Sequence, residues 1–153
     1  PVIRIMPNIN ATVLEAMSAY CCSESVTDDQ KEFVNKLCSS FGKVMPLSES
    51  YFPLFCSIAG CAPAYAYMFI DSLARSAVKN GMNKSVALEI AAQTVLGSAK
   101  KILESDEHPW ELIDKVCSPG GTTIEGIVSL QKDGFESAVC NAVDAALQKD
   151  KKV

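Results

Sequence analysis

The stretch from Ala59 to Ile70, AGCAPAYAYMFI, limits what this chain can become more than any other. Pro63 suits the first turn of a helix, where its missing N–H costs nothing. The pattern predicts a helix from there to about Asn80, closed by Gly81. Ala64, Tyr65, Ala66, Tyr67, Met68, Phe69 and Ile70 make that helix apolar nearly all round, so it has to be covered on every side. The apolar run falls short of the about 20 residues that a bilayer-spanning helix needs, which reads as the core helix of a soluble protein. Five or six helices in roughly 100 residues rarely enclose a central one. A monomer core and a second copy of the chain are the two ways to cover it, and the shortage of covering material favours an obligate dimer.

The chain has 153 residues, 48% of them apolar and 21% charged, which suits one packed domain or a domain plus a fragment of another. A net charge of −4 argues against nucleic acid or an anionic membrane as partner, but not against a small anion held by backbone amides. The seven cysteines are 21, 22, 38, 56, 61, 117 and 140. With His108 as the single histidine and no CxxC pair, no metal site is expected. Adjacent Cys21 and Cys22 would point to opposite faces of a strand. The thiols read as reduced, buried apolar side chains of a cytoplasmic protein.

Composition shifts from mixed α/β before Ser50 to all-α after it. The opening PVIRIMPN is extended and abrupt, without a leader, as though cut from something longer. Strands are expected at Val2–Ile5, at Met17–Cys22 and, as an edge, in KVMPLSE (43–49), where Pro46 is tolerated. Between the last two, a helix runs from Asp28 to Phe41 with Thr27 as N-cap and Gly42 as its stop. Further helices follow: a short one ending near Gly60, the Pro63 helix, and one capped by Asn83 with Val86, Ile90, Val95, Ile102 and Leu103 as its apolar stripe. That helix is thin at Ala87, Ala91, Ala92, Gly97 and Ala99, so a neighbour can come close. Helices opened by Pro109, at Thr122–Lys132 and at Gly134–Lys149 complete the chain, and the lysine-rich end is expected to fray. The fold class is therefore mainly α: residues 1–50 are the tail of a larger α/β domain, and 51–153 form a helical domain.

The segment VCSPGGTTIEGI (116–127) holds the most chemistry. Gly120 and Gly121 permit a tight backbone that aims successive N–H groups at one point. The helix starting near Thr122 adds unpaired N–H groups and a positive dipole end. Ser118, Thr122 and Thr123 add hydroxyls. Together they suit one small anion, and without a Lys or Arg in the turn a carboxylate fits better than a polyphosphate. An ordinary N-cap, with Ser118 or Thr122 capping and Glu125 completing a capping box, explains the same residues equally well.

The whole stretch HPWELIDKVCSPGGTTIEGIVSLQKDGFESAV (108–139) resembles the C-terminal signature of the pyrroline-5-carboxylate reductases. RIMPN (4–8) looks like that family's strand-end motif, AGCAPAYAYMFIDSL (59–73) resembles its SGSGPAY helix start, and GMNKSVALEIAAQTVLGSAKKIL (81–103) its next helix. The resemblance implies NAD(P)H-dependent reduction of 1-pyrroline-5-carboxylate to L-proline. It further implies a Rossmann domain that binds NADP or NAD, and a helical domain that interlocks with a second copy as a homodimer or within a higher oligomer. The G-x-G-x-x-G fingerprint is not in this sequence, so the likeness is to the C-terminal part: the last strands of the Rossmann domain plus the helical dimerisation domain.

By that resemblance, Ser118, Gly120 and the amides of Gly121, Thr122 and Thr123 hold the substrate carboxylate. The Thr123 hydroxyl meets the ring nitrogen as the catalytic contact. Gly60, Cys61 and Pro63 face the cofactor, and Asn8 is a backbone-organising or cofactor-side residue; for Asn8, a strand-ending Asx turn is an equal reading. Ala59, Cys61 and Ala62 stand where relatives carry Ser or Gly, and Arg75 where an acid is common. His108 reads as a helix-opening residue rather than a base, and Cys117 as a structural thiol. The alternative to a reductase portion is a non-catalytic helical dimerisation module.

Overall fold

The computed structural model describes residues 1–150. The chain divides into two compact units, one formed by Pro1–Tyr65 with the chain from Asn141 onward, the other by Ala66–Cys140.

In the first unit, β1 (Ile3–Met6) and β3 (Gly42–Pro46) flank a central β2 (Ala16–Cys22). β1 runs antiparallel to β2, with Ile3 opposite Cys22 and Met6 opposite Ala19. β3 runs parallel to β2, with Ala16 opposite Gly42 and Tyr20 opposite Pro46. A parallel neighbour needs a crossover, and helix α1 (Asp28–Ser39) supplies it. Thr27 caps α1 in a reciprocal box with Gln30, as its sequence predicts. The helix ends at Ser39 rather than Phe41, because the Phe41 carbonyl is drawn into the sheet to accept the Ala16 N–H at 3.0 Å. Gly42 does not stop the helix; it opens β3 with φ +152°, so close to β2 that a Cβ would lie 2.2 Å from the Ala16 oxygen.

One sheet face packs on α1 through Tyr20, Val34 and Cys38, with Ile3, Cys22, Phe41 and Val44 around them. The other face carries Arg4, directly opposite Cys21 in the register. The Arg4 guanidinium lies over the fully buried Phe52 ring, 4.6 Å from its centroid, and pairs with Glu49 at 3.0 Å.

Beyond the sheet the chain stays helical from Glu49 to Lys79, in place of the two separate helices expected there. A 3₁₀ turn (Glu49–Tyr51) leads into α2 (Phe52–Phe55), a π turn (Cys56–Gly60) and α3 (Ala62–Lys79). This 31-residue run is long and apolar enough to cross a bilayer by length and composition alone, so the length argument made from Ala59–Ile70 does not stand. The run also carries Asp71, which pairs with Arg75 and Lys84.

The second unit holds the rest of α3, α4 (Lys84–Leu103), α5 (Pro109–Val116), α6 (Thr122–Lys132) and the start of α7 (Phe135–Asp150). Asn83 Oδ1 caps α4 by accepting the Ser85 N–H at 2.9 Å. His108 caps α5 through Nδ1, with Glu111 closing the box, which bears out its helix-opening role. Helix α7 starts at Phe135, one residue later than expected, and continues to Asp150. The fraying expected of the lysine-rich end falls partly on residues 151–153, outside the described residues.

The apolar stripe of α4 is bare in the single chain: Val86, Ile90, Ile102 and Leu103 are exposed, while the thin side is buried at Ala87 and Ala91. On α3, Ala74 is buried, whereas Met68 is 74% exposed and Tyr67, Leu73 and Val78 are open as well. A soluble chain rarely leaves so many large apolar side chains in water unless another surface covers them.

Candidate functional site

The residues singled out in the sequence fall into two groups, one in each compact unit. The first is the turn from Ser118 to Thr123. Its Gly121 N–H donates to the Ser118 carbonyl at 2.9 Å, closing a four-residue turn. Pro119 and Gly120 are the central residues, and Gly120 has φ +68°, the combination a type II turn demands. Gly121 is glycine for a separate reason. Its backbone is extended, but an added Cβ would lie 2.4 Å from the Ser118 Oγ, so the hydroxyl rests directly on the Gly121 Cα.

Gly121 is also the N-cap of α6 and has no side chain with which to cap it. The capping box of Ser118 or Thr122 with Glu125, the alternative reading of these residues, does not form. The first-turn N–H groups of Thr122 and Thr123 therefore lack a side-chain acceptor, next to the positive end of the helix dipole. Among the described residues, none of the hydroxyls of Ser118, Thr122 and Thr123 makes a side-chain hydrogen bond to another group. Gly121 differs from the sequence expectation in one respect: its amide is spent on the Ser118 carbonyl, leaving the Thr122 and Thr123 amides as the free donors. Two amides and three hydroxyls at one helix start can hold a singly charged oxyanion.

The second group is gathered around the π turn. Pro63 has no N–H, so in a continuing helix the carbonyl four residues earlier, that of Ala59, loses its donor. Asn8 fills that gap: its Nδ2 donates to the Ala59 oxygen at 3.0 Å, while its Oδ1 accepts the Met17 N–H at 3.2 Å. The side chain thus ties the end of β1 to β2 and to the helix at once, which is the backbone-organising half of its sequence expectation. Gly60, Cys61 and Pro63 follow on the same turn, where the Cys61 N–H reaches back five residues to the Cys56 carbonyl at 3.0 Å. The Cys56 sulfur leans over Gly60, 3.3 Å from where a Cβ would be. Burial pushes the Cys56 thiol above its ordinary value, and the nearby Cys61 thiol pushes it the same way.

Two features escaped the sequence reading. The Ala59 carbonyl was the missed partner of Asn8, although a proline four residues downstream was a readable signal for it. The other is an open cavity of about 860 Å³ at the strand ends, lined by Arg4, Tyr20, Cys21, Lys31 and Glu49 among others. It contains none of the candidate site residues read from the sequence. Burial also raises the Cys21 thiol there.

Residues 49–153 match the family model for pyrroline-5-carboxylate reductase dimerisation. The chain is 40% identical over 152 residues to pyrroline-5-carboxylate reductase from Aquifex aeolicus, covering 99% of this chain and 57% of the relative. A solved 1-pyrroline-5-carboxylate reductase from Streptococcus pyogenes superposes with a TM-score of 0.93 at 42% identity, covering 99% of this chain and 58% of that one. A Plasmodium falciparum pyrroline carboxylate reductase, solved with NADP bound, gives 0.92 at 36% identity, covering 99% and 62%. The chain spans about half the length of the curated relatives it matches, 55% and 57% for two of them.

Proposed function

The chain belongs to the pyrroline-5-carboxylate reductase family, and on that premise we propose that it forms the substrate-side part of an enzyme reducing 1-pyrroline-5-carboxylate to L-proline. The observation that carries this reading is the Ser118–Thr123 turn, with its free hydroxyls and its two uncapped helix amides.

In this reading the substrate carboxylate sits on the Thr122 and Thr123 N–H groups, steadied by the Ser118 hydroxyl. Thr123 extends its hydroxyl to the ring nitrogen. Reduction of the C=N bond raises electron density at that nitrogen, and a hydroxyl in hydrogen-bond reach orients or relays the proton it takes up. The turn contains no strong acid or base, so its contribution is placement of the imine carbon. NADPH or NADH supplies the hydride when bound. Asn8, Gly60, Cys61 and Pro63 suit the cofactor-facing side: a proline-opened turn of small residues, held against the sheet by one amide, leaves room for a flat ring to approach. Without a dinucleotide fingerprint of its own, this chain alone is expected to turn over feebly at most.

The bare stripes of α3 and α4 support a homodimer, or a higher oligomer built from it, in which a second copy covers them. Seven free cysteines suit a reducing compartment such as the cytoplasm. A purely structural dimerisation module is disfavoured, because relatives matching 99% of the chain carry reductase names.

The test is to assay the full-length protein that contains this chain for pyrroline-5-carboxylate reduction with each cofactor, alongside its Thr123→Ala variant. Turnover that drops at least tenfold in the variant, with unchanged folding, is the expected result. A full-length protein with no such activity, or a variant with unaltered kinetics, refutes the assignment.

A further inference from the structure

We infer that Cys56 and Cys61 form a reversible disulfide across the π turn, making this segment a thiol–disulfide switch. In a regular α-helix, residues five apart point about 140° away from each other and cannot be bridged. Here the turn is widened by one residue, and the Cys61 N–H closes directly on the Cys56 carbonyl at 3.0 Å. Closing that ring turns the fifth residue back over the first, the arrangement a bridge between them needs. The Cys56 sulfur leans over Gly60, the residue before Cys61, 3.3 Å from where a Cβ there would lie. Both thiols are free and only half-buried, so a small oxidant can reach them. Their pairing depends on the widened turn that Pro63 and Asn8 sustain.

The oxidant class is a low-molecular-weight disulfide such as glutathione disulfide. One protein thiolate attacks it, forming a mixed disulfide and releasing one glutathione thiolate. The second protein thiol then gives up its proton, attacks the protein sulfur of that mixed disulfide and expels the second glutathione. Two protein thiols are oxidised and one glutathione disulfide is reduced to two thiols. Dithiothreitol reverses both exchanges. Burial raises the Cys56 thiol above its ordinary value, which leaves the first attack to Cys61.

This inference stands apart from the reductase assignment and is tested on the chain itself. Trypsin releases a peptide from Val44 to Arg75 that contains Cys56 and Cys61 and no other cysteine. After incubation of the native chain with glutathione disulfide, that peptide is expected to lose the mass of two hydrogen atoms. Neither of its cysteines should take up an alkylating agent, and dithiothreitol should restore both. In Cys56→Ser, Cys61 is expected to stop at the glutathione adduct. Two cysteines that stay alkylatable, two separate glutathione adducts on the wild-type peptide, or a Cys61 that gains no adduct in Cys56→Ser would each overturn the proposal.

Discussion

Replacing Asn8 with alanine should unfasten the sheet from the π turn, and the size of the effect follows from what the amide does. Its Oδ1 accepts the Met17 N–H at 3.2 Å and its Nδ2 donates to the Ala59 carbonyl at 3.0 Å, both in partly buried surroundings. Truncation strands one backbone donor and one backbone acceptor. A fully buried stranded group costs about 1–3 kcal/mol, and partial access to water places these two at the low end, for a total near 2 kcal/mol. In a chain of this length that corresponds to a fall in Tm of about 6 °C. Asn8→Asp keeps the acceptor for Met17 but turns a carboxylate oxygen toward the Ala59 oxygen, so it should cost at least as much near neutrality. Both variants are to be compared with wild type by urea unfolding at one fixed protein concentration, since association would otherwise shift the midpoint. Two variants within about 0.5 kcal/mol of wild type would refute the argument that Pro63 creates a vacancy that Asn8 fills.

Gly121→Ala should disrupt the Ser118–Thr123 turn, because its Cβ would meet the Ser118 Oγ at 2.4 Å. Adding Ser118→Ala removes that oxygen and should recover part of the lost stability, so a double variant no better than the single one would count against the steric account. The Asp71 carboxyl is held below its ordinary value of 3.8 by hydrogen bonds from Lys84 and then Arg75. A lowered folded-state value means that the α3–α4 link stabilises fully above the ordinary carboxylate range and is lost as pH falls through the folded value. An acid-unfolding profile of Asp71→Asn that still matches wild type would contradict this, as would a profile indifferent to salt. Met68→Glu places a charge on the bare stripe of α3 and should shift light-scattering mass from dimer toward monomer, whereas an unchanged mass would show that this face lies outside the interface.

How much of this was legible beforehand depended on the range of the cause. Caps are local, and Thr27 and Asn83 stood where their spacing put them. The early end of α1 was not legible, because the reason is the Phe41 carbonyl pairing with Ala16, a contact made across the sheet. The four matched segments announced the family and its helical domain after a few strands, and both hold. At the candidate turn, the residues were legible and their division of labour was not. Gly120 and Gly121 looked alike in sequence, yet one supplies a positive φ and the other makes room for a hydroxyl. The spent Gly121 amide could not be read either, since it depends on how the turn closes. Helical periodicity marked Val86, Ile90, Ile102 and Leu103 as an apolar stripe without saying whether the cover comes from this chain. Patterning records which side chains avoid water, not what shields them.

The strap from Asn8 to Ala59 also orders events in time. It joins residues 51 positions apart with a single hydrogen bond. One such bond yields about 1 kcal/mol, too little to close a loop of that size ahead of the contacts that would shorten it. The pairing of β1 with β2 and the crossover through α1 must therefore come first and carry Asn8 to its place. Until then Pro63 faces an unanswered carbonyl, and the widened turn has nothing to hold it open. During folding, the segment proposed to meet the cofactor is among the last to set, and its shape reports that the sheet behind it is complete.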